Sequence, residues 1–368
     1  MKIQFDHQIF ASQKYGGISR YFYELMKEFD KLEDIQTDTS LLLSNNYYIS
    51  DKKYVNYIEF FPKTEFRGKQ RLANLFNKPN TIMKLKKQDF DIFHPTYYDT
   101  YFLKYLKNQP FVLTVYDMIH EKFSDMFLPT DKTSEQKRLL VEKATKVIAI
   151  SESTKNDLIE LFGTDTSKIE VVYLGNSMFP KINTSVEIDI PKNYLLFVGS
   201  RGAYKNFERF IKSVASILKA DKELFVLCTG GGAFSTSEIE LFSELSIEKQ
   251  VLQYNLDDDS LAYFYQNAIA FIFPSLYEGF GIPVLESFAC ECPLLCSNTS
   301  SLPEIAGDGA LYFDPYSEES IKNVVLEALE NDELRKSLVL KGQARLKNFS
   351  WKQTAVKTKR IYESVLKS

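Results

Sequence analysis

Short apolar runs alternate with amphipathic stretches along most of the chain, in two series separated near the middle. A continuous apolar run predicts a strand buried on both faces, whereas apolar residues three and four positions apart predict a helix with one buried face. The predicted strands of the first series are Lys2–Phe5, Ile92–His94, Phe111–Tyr116, Lys146–Ile150 and Glu170–Val172. Those of the second series are Tyr194–Gly199, Leu224–Thr229, Gln250–Tyr254, Ala270–Phe273 and Pro293–Ser297.

Helical periodicity is clearest in Gly17–Phe29, Asn206–Leu218 and Phe349–Lys367. Strands that alternate with helices are typical of parallel sheets covered by helices, so we expect an α/β protein with two doubly wound, Rossmann-like domains. The stretch 176–193 contains prolines and no long period, which favours a linker. We therefore expect one domain over residues 1–178 and a second over 190–349. The C-terminal helix, residues 350–368, should pack back on the first.

Composition narrows the possible functions. A length of 368 residues suits two domains, and a net charge of −4 argues against a general nucleic-acid binder. No apolar stretch is long enough to span a bilayer, and Met1–Asp6 opens a strand rather than a signal peptide, so we expect a cytoplasmic protein. The four cysteines lack the paired spacing of a zinc site, and we expect them to be buried free thiols.

The segment Phe273–Glu286 is the most informative part of the chain. It reads Phe-Pro-Ser-Leu-Tyr-Glu-Gly-Phe-Gly-Ile-Pro-Val-Leu-Glu, with a predicted strand before it and a predicted helix start within it. The free N–H groups of a helix N-terminus suit a phosphate, and Glu278 and Glu286 could hold the hydroxyls of a ribose or a sugar. The alternative is a tight strand-to-helix connection with two solvated glutamates.

Three further segments follow predicted strands and contain residues suited to a ligand. They are Lys14–Arg20 with Gly16 and Gly17, Val198–Asn206 with Arg201 and Lys205, and Thr114–His120 with Asp117 and His120. Glycines let the backbone approach a ligand closely, the cations could neutralise a diphosphate, and the Asp–His pair could contact a sugar. The alternatives are a plain turn, a solvated pair of surface cations and a structural histidine.

Residues 63–88 are strongly basic, because eight Lys and Arg accompany one acid, Glu65. Apolar residues are interleaved with them. Such a segment could lie on an anionic membrane surface or meet a lipid diphosphate, and a solvated helical hairpin is equally compatible. Asp89 and Asp91 have the spacing of a metal-binding Asp-x-Asp pair, but they begin a predicted strand, and we expect no metal ion.

Together these segments resemble glycosyltransferase family 4, the retaining enzymes of GT-B fold that use nucleotide sugars. The specific part is the Glu278-x7-Glu286 spacing in its Pro-Ser-Leu-Tyr-Glu-Gly-Phe-Gly-Ile-Pro-Val-Leu-Glu setting. The segment 298–315, the Gly16-Gly17 pair, and Val198-Gly199 with Lys205-Asn206 also look like this family. The resemblance spans nearly the whole chain and is strongest from 194 to 315.

The resemblance implies two domains that face each other across a cleft, with the acceptor on the first and the donor in the second. It implies that Glu286 holds the donor ribose and that Glu278 lies near the transferred sugar. The amides of Gly279, Phe280 and Gly281 should contact sugar or phosphate.

The resemblance also implies how the diphosphate is held. Arg201 and Lys205 should neutralise it as it departs, and Gly16 and Gly17 should face it from the first domain. Many relatives have an arginine immediately before the lysine, where this chain has Tyr204.

A second departure concerns the first domain. The histidine that usually follows the 111–115 strand is replaced by Tyr116. Asp117 stands in register, and His120 is the candidate that could supply the imidazole.

We therefore expect a retaining hexosyltransferase in surface polysaccharide synthesis, acting in the cytoplasm or at the inner face of the membrane. The first expectation for the donor is GDP-mannose, and the second is a UDP-hexose. We expect the acceptor to be a saccharide or a lipid-linked saccharide, and we expect no metal or other cofactor. A nucleotide-sugar epimerase of the same fold is the alternative, with Asp117, His120 and Glu278 as its acid/base candidates. A binding protein without turnover is a third possibility.

Overall fold

A computed structural model describes residues 1–64, 66–178 and 189–367. The chain divides into two compact units. Unit 1 comprises Met1–Gly175 with Ser350–Ser368, and unit 2 comprises Asn176–Phe349. Each unit is built on parallel sheets with helices, which confirms the predicted class of two α/β domains. Much of the predicted linker, residues 179–188, lies outside the described residues.

Unit 1 has eight strands among its described residues, and all their pairings are parallel. They are β1 Lys2–Phe5, β2 Gln36–Thr39, β3 Leu43–Ser44, β4 Ile58–Glu59, β5 Ile92–His94, β6 Val112–Val115, β7 Lys146–Ala149 and β8 Ile169–Val171. The main pairings run β2-β1-β5 and β6-β7-β8, and a parallel bridge between Phe93 and Phe111 connects these two groups.

Within residues 1–175, helices form most of the crossover connections that the parallel strands of unit 1 require. They are α1 Gln8–Ser12, α2 Gly17–Phe29, α3 Lys69–Lys87, α4 Ile119–Lys122, α5 Thr133–Lys143 and α6 Glu152–Phe162. In α2 the apolar residues recur every three or four positions, so that Tyr21, Phe22, Leu25 and Phe29 are all buried in the core.

Unit 2 contains one six-stranded parallel sheet in the order β11-β10-β9-β12-β13-β14. Its strands are β9 Asn193–Val198, β10 Leu224–Thr229, β11 Val251–Tyr254, β12 Ala270–Phe273, β13 Leu294–Ser297 and β14 Ala310–Phe313. Its helices are α7 Phe207–Ala220, α8 Thr236–Glu244, α9 Asp258–Asn267, α10 Ile282–Ala289, α11 Leu302–Ala306, α12 Glu318–Glu330 and α13 Asp332–Leu346. The central strands β9 and β12 are apolar and mostly buried except at Asn193, the first residue of β9, as expected where helices cover both faces of a sheet.

The last helix, α14 Trp351–Lys367, returns the chain to unit 1 and packs on α2. Trp351, Ile361 and Tyr362 are buried there. The Tyr362 hydroxyl lies 2.6 Å from His94 Nδ1, at the centre of the unit 1 core. Unit 1 is therefore assembled from the two ends of the chain.

The structure differs from the sequence prediction in a few elements. The strands β2, β3 and β4 were not predicted, because they are polar along their length or only two residues long. The strand β14, Ala310–Phe313, is an apolar run of four residues that the prediction missed. The helical hairpin considered for 63–88 is wrong, since α3 is one helix of 19 residues that contains Pro79. All four cysteines are buried free thiols, as predicted.

Candidate active site

The sheet of unit 2 reverses its winding between β9 and β12. The chain proceeds outward to β10 and β11 on one side of β9, and to β13 and β14 on the other side of β12. At such a switch point the loops after the two central strands diverge and leave a crevice at their carboxyl ends, where ligands of doubly wound folds bind. The two loops here are 199–206 and 274–281, which contain Arg201, Lys205 and Glu278.

Lys205 and Glu278 form an ion pair across this switch point. Lys205 Nζ lies 2.6 Å from Glu278 Oε1, and the two side chains are only 16% and 12% exposed. The Leu276 N–H donates to the Tyr204 carbonyl at 2.8 Å, which ties the backbones of the two loops together. The cation and the carboxylate that the sequence assigned separately to a diphosphate and a sugar are therefore neighbours.

The turn after Glu278 is fixed by its backbone conformation and by the next loop. Gly281 precedes α10 with φ 96°, in the left-handed region, and a Cβ there would lie 2.9 Å from Leu302 Cδ2. The Glu278 N–H donates to Ser300 Oγ at 3.0 Å, and Ser301 Oγ donates to the Glu278 carbonyl at 2.8 Å. Only glycine fits at 281, and the N-terminus of α10 is held at the switch point.

Glu286 lies within α10 and is 7% exposed. The Tyr265 hydroxyl donates to Glu286 Oε2 at 3.4 Å. Burial, followed by the charge of Glu286, raises the pKa of Tyr265 well above its usual value, so the phenol stays protonated as a donor. Since Glu278 is 9% exposed, the alternative of two solvated glutamates is wrong.

Arg201 is bound to the loop that follows β10. Its Nε donates to Glu238 Oε1 at 2.6 Å, and its Nη atoms donate to the carbonyls of Gly230, Gly232 and Ala233 at 2.9 to 3.0 Å. The side chain is 4% exposed, so the alternative of a solvated surface cation is wrong. A role for Arg201 at a diphosphate stays a prediction, and these contacts give it a structural role in closing the loop.

In unit 1, Gly16 is the N-cap of α2 and Gly17 is its first residue. The Gln13 side chain occupies the space that a Cβ on Gly16 would need. Gln13 Oε1 is buried and has no hydrogen-bond partner among the described residues. Gly16 is therefore needed for local packing, and the contact of Gly16 and Gly17 with phosphates stays a prediction.

Asp117 and His120 lie just after β6, at its carboxyl end. Asp117 Oδ1 accepts from the Ile119 N–H at 3.0 Å, which starts the short helix α4 on which His120 lies. The His120 ring stacks on Phe127 with centroids 3.9 Å apart, and its Nε2 is 3.7 Å from Asp131 Oδ2. The structure thus brings the two predicted residues to one loop with a further carboxylate.

Lys137 completes this cluster and was not predicted as a site residue. Its side chain is fully buried, and its Nζ donates to Glu121 Oε2 at 2.8 Å and to the Asp117 carbonyl at 2.9 Å. Burial and the Lys137 charge lower the pKa of His120, so its imidazole is neutral at pH 7. Lys137 lies in the polar helix α5, where nothing in the sequence distinguishes it from a surface lysine.

Residues 1–64, 66–178 and 189–367 contain neither a candidate metal cluster nor a candidate membrane-spanning helix. No three or more His, Cys, Asp and Glu side chains of these residues are grouped so that they could hold a metal ion. No helix in the same ranges is both long and apolar enough to cross a membrane. What the described residues offer is a cation, two carboxylates and a helix N-terminus in unit 2, which suits an anionic ligand that also carries hydroxyls.

Two protein-family models match the chain, one on each unit. The model described as Glycosyltransferase Family 4 matches residues 15–176. The model described as Glycosyl transferases group 1 matches residues 179–345.

Two relatives are known by their activities. O-antigen chain mannosyltransferase B of Escherichia coli is 26% identical over 249 residues, which is 64% of this chain and 65% of the relative. The N-acetylgalactosamine-N,N'-diacetylbacillosaminyl-diphospho-undecaprenol 4-alpha-N-acetylgalactosaminyltransferase of Campylobacter jejuni is 30% identical over 57% of this chain and 58% of the relative. The chain thus spans less than two thirds of the length of either relative.

A solved structure is similar over both units. HepE of Anabaena, in complex with UDP and glucose, covers 99% of this chain and 100% of its own, with a TM-score of 0.75 and 15% identity. Similarity at this identity shows the fold alone.

Proposed function

Because the chain belongs to glycosyltransferase family 4, with the GT-B fold, we propose that it is a retaining hexosyltransferase that uses a nucleotide-diphosphate sugar. The proposed acceptor is a saccharide or a lipid-linked saccharide, and the proposed product is a surface polysaccharide or a related glycan. We take GDP-mannose as the first donor to test and a UDP-hexose as the second. The proposed place of action is the cytoplasm or the inner face of the membrane.

The observation that carries this proposal is the Lys205–Glu278 ion pair at the switch point of the unit 2 sheet. A nucleotide-diphosphate sugar presents a diphosphate directly bonded to a sugar, so its site needs positive charge beside a hydroxyl acceptor. Lys205 and the N-terminus of α10 can supply the first, and Glu278 can supply the second. An epimerase would bind the same donor, and the acceptor is what distinguishes the two.

In this proposal each side chain at the switch point has its own role. Glu286 accepts hydrogen bonds from the ribose hydroxyls, and Glu278 accepts from the hexose. The amides of residues 279–281 contact the sugar or the phosphate. Lys205 balances the charge of the diphosphate, and the positive charge of Arg201, held by its loop contacts, adds to this effect.

The proposed reaction breaks the bond between the anomeric carbon and the diphosphate while the acceptor hydroxyl forms a bond on the same face of the sugar. Negative charge grows on the departing diphosphate, where Lys205 and the α10 N-terminus stabilise it. The proton of the acceptor hydroxyl passes to an oxygen of the departing diphosphate, on which the negative charge grows. We assign Asp117 and the neutral imidazole of His120 to the acceptor side of the reaction.

The relatives support the choice of substrates. One is named for mannose transfer in O-antigen chains and another for transfer to a diphospho-undecaprenol-linked sugar. These names favour mannose as the hexose and a lipid-linked saccharide as the acceptor. The UDP in the HepE structure keeps a UDP-hexose in the donor panel.

A donor panel tests the proposal. Purified protein is incubated with GDP-mannose, UDP-glucose and UDP-galactose, with and without lipid-linked saccharide acceptors, and nucleotide diphosphate release is measured. Release that depends on the acceptor supports the transferase. Isomerisation of the sugar without an acceptor would replace the proposal with the epimerase, and no turnover with any donor would contradict both.

A pair of lysine variants links that activity to the site. Lys205→Met should lower turnover by about 100-fold or more, because the departing diphosphate loses its cation. Lys212→Met is the matched control, since Lys212 pairs with Glu208 on the exposed side of α7. Equal activity of the two variants would contradict the role of Lys205.

Since Lys205 is proposed to supply the positive charge, turnover should also persist after removal of divalent metals with EDTA.

A further inference from the structure

Helix α3 presents its apolar side chains to the outside of unit 1. Leu72, Leu75, Phe76 and Met83 are 38%, 68%, 53% and 55% exposed. With Pro79, their positions differ by three, four, seven and eleven residues, which places them on one face of a helix. A surface helix of a globular protein normally turns such a face towards the core.

The opposite face of α3 packs against unit 1 and is mostly small or polar. It contains Ala73, Asn77, Thr81 and Leu85, four residues apart and all buried. Asn77 Oδ1 accepts from the N–H groups of residues 42 and 43 at 2.9 Å, and its Nδ2 donates to the residue 43 carbonyl at 2.9 Å. Thr81 Oγ1 donates to the Ser40 carbonyl at 3.1 Å. Hydrogen bonds hold this face in place, so the apolar face remains outside.

Cations accompany the outward face. Between Phe66 and Gln88 the sequence has seven Lys and Arg and no acid. Lys78 and Lys84 pair with Asp99 and Asp38 at the flanks of the helix. The side chains of Arg71, Lys86 and Lys87 are exposed. Lys86 and Lys87 also line a shallow groove with Pro79, Ile82 and Met83.

Exposed aromatic rings extend this surface beyond the start of α3. Phe61 and Phe66 are 54% and 39% exposed, and their ring centroids are 5.7 Å apart. Lys69 Nζ donates to the Phe61 carbonyl at 3.0 Å, which fixes the preceding loop against the first turn of the helix. Together with the outward face of α3, these rings form what we call the basic apolar surface.

We propose that the basic apolar surface, formed by the outward face of α3 with Phe61 and Phe66, docks on an anionic phospholipid bilayer. An amphipathic helix that combines exposed Leu, Phe and Met with Lys and Arg has the chemistry of a helix lying in the membrane interface, with its apolar side chains at the acyl boundary and its cations at the lipid phosphates. A solvent-facing apolar surface of this extent needs a partner in a protein that stays dispersed.

The charge distribution favours a lipid surface and a defined orientation. Residues 63–88 have eight cations and one acid, a charge of +7, while the whole chain has −4, so the remainder has −11. An anionic membrane attracts this segment and repels the net negative charge of the remainder. The inference does not depend on the transfer chemistry, because no residue of the basic apolar surface belongs to the proposed donor site.

Vesicle flotation tests this inference with the full chain. The probes are vesicles of phosphatidylcholine alone and of phosphatidylcholine mixed with phosphatidylglycerol, at low and at high salt. We expect flotation with the mixed vesicles at low salt, and at least about tenfold weaker binding to neutral vesicles or at high salt. Equal binding to both vesicle types, or no binding to either, would overturn the proposal.

Matched variants show which surface is responsible. Leu75→Ser with Phe76→Ser should weaken vesicle binding by about tenfold or more, because the membrane no longer buries two large apolar side chains. The control is Leu340→Ser with Ile239→Ser on α13 and α8 of unit 2, where the exposures are 68% and 54%. The control should bind as the parent does.

A cation variant tests the electrostatic half. Lys86→Gln with Lys87→Gln should lower binding to the mixed vesicles and flatten its salt dependence.

Light scattering tests whether a second copy of the chain, and not a membrane, covers the basic apolar surface. If the Leu75→Ser, Phe76→Ser chain changes from dimer to monomer while its vesicle binding is unchanged, the surface joins two copies of the chain and the membrane proposal fails.

Discussion

At the scale of single residues, the buried charges of both units are held by partners rather than by solvent. Lys205 faces Glu278 in unit 2, and the fully buried Lys137 faces Glu121 in unit 1. Removal of one member leaves a buried charge without compensation, which costs more than the pair contributes. A variant of such a pair therefore has to be judged by stability as well as by activity.

The two glutamates of the site should respond differently to substitution. Glu286→Ala should weaken binding of the nucleotide diphosphate by about tenfold or more, the usual effect of losing a hydrogen bond to a charged group. Glu278→Ala should leave that affinity nearer the parent value and lower turnover. Calorimetric titration gives the affinities and the donor assay gives the turnover. Unchanged affinity and turnover in both variants would contradict the assignment.

His94 should make unit 1 sensitive to acid. Its side chain is fully buried between Tyr362 and Thr114, and burial lowers its pKa to about 3 from an ordinary value of 6.5. Between these values the unfolded chain binds a proton at this residue that the folded chain does not. The free energy of unfolding therefore falls as the pH is lowered through this window, by at most about 1.4 kcal/mol per pH unit for one group.

Trp351, the single tryptophan, is buried in unit 1 and reports on its unfolding by fluorescence. Denaturant midpoints measured from pH 7 to pH 4 should fall more steeply for the parent chain than for His94→Gln. Parallel pH profiles of the two chains would show that another group is responsible.

At the scale of elements, the site depends on a strand, a turn and a helix whose order is fixed in the sequence. The apolar strand β12 ends at the switch point, the turn reverses the chain at Gly281, and α10 begins immediately after it. The geometry of α10 thus depends on one residue with a positive φ. A single substitution at Gly281 therefore tests whether the turn sets the position of α10.

Gly281→Ala should destabilise unit 2 by about 2 kcal/mol, since an alanine is strained at φ 96° and its Cβ would lie against Leu302. The same change should weaken donor binding because the α10 N-terminus must shift. Gly202→Ala is the control for stability, because no atom lies within 4 Å of a Cβ at that position. Denaturation followed by circular dichroism compares them, and equal midpoints would contradict the strain.

At the scale of the whole molecule, unit 1 is discontinuous in sequence. Helix α14 packs on α2, and the Thr354 hydroxyl donates to the Tyr173 carbonyl at 2.7 Å. Gly175 has no room for a side chain, because a Cβ there would meet the backbone of Trp351. The core of unit 1 is therefore complete only with residues from the C-terminal end.

Deletion of residues 350–368 should unfold unit 1 and leave unit 2 folded. Limited proteolysis should then digest residues 1–175 quickly and spare a fragment near 176–349. The control is Tyr362→Phe, which removes only the hydroxyl beside His94 and should cost about 1 kcal/mol. Survival of unit 1 in the shortened chain would contradict this account of its assembly.

Much of the fold was readable from the chain because the strands buried on both faces are continuous apolar runs. Lys2–Phe5, Leu224–Thr229 and Ala270–Phe273 were predicted with the bounds that the structure has. The polar strand Gln36–Thr39 was missed because β1, not its own pattern, makes it a strand. The positive charge of α3 could be predicted from the sequence, but the outward direction of its apolar face could not.

By itself, the sequence determined the α/β class, the segment Phe273–Glu286 and the positions of its two carboxylates, because short-range periodicity and turn chemistry are local properties. Only the tertiary structure decided that Lys205 pairs with Glu278, that Arg201 is bound to its neighbouring loop and that Lys137 is buried beside Asp117. These contacts join residues from 20 to 73 positions apart. The strand order and the packing of helices set them, and no local pattern encodes that order.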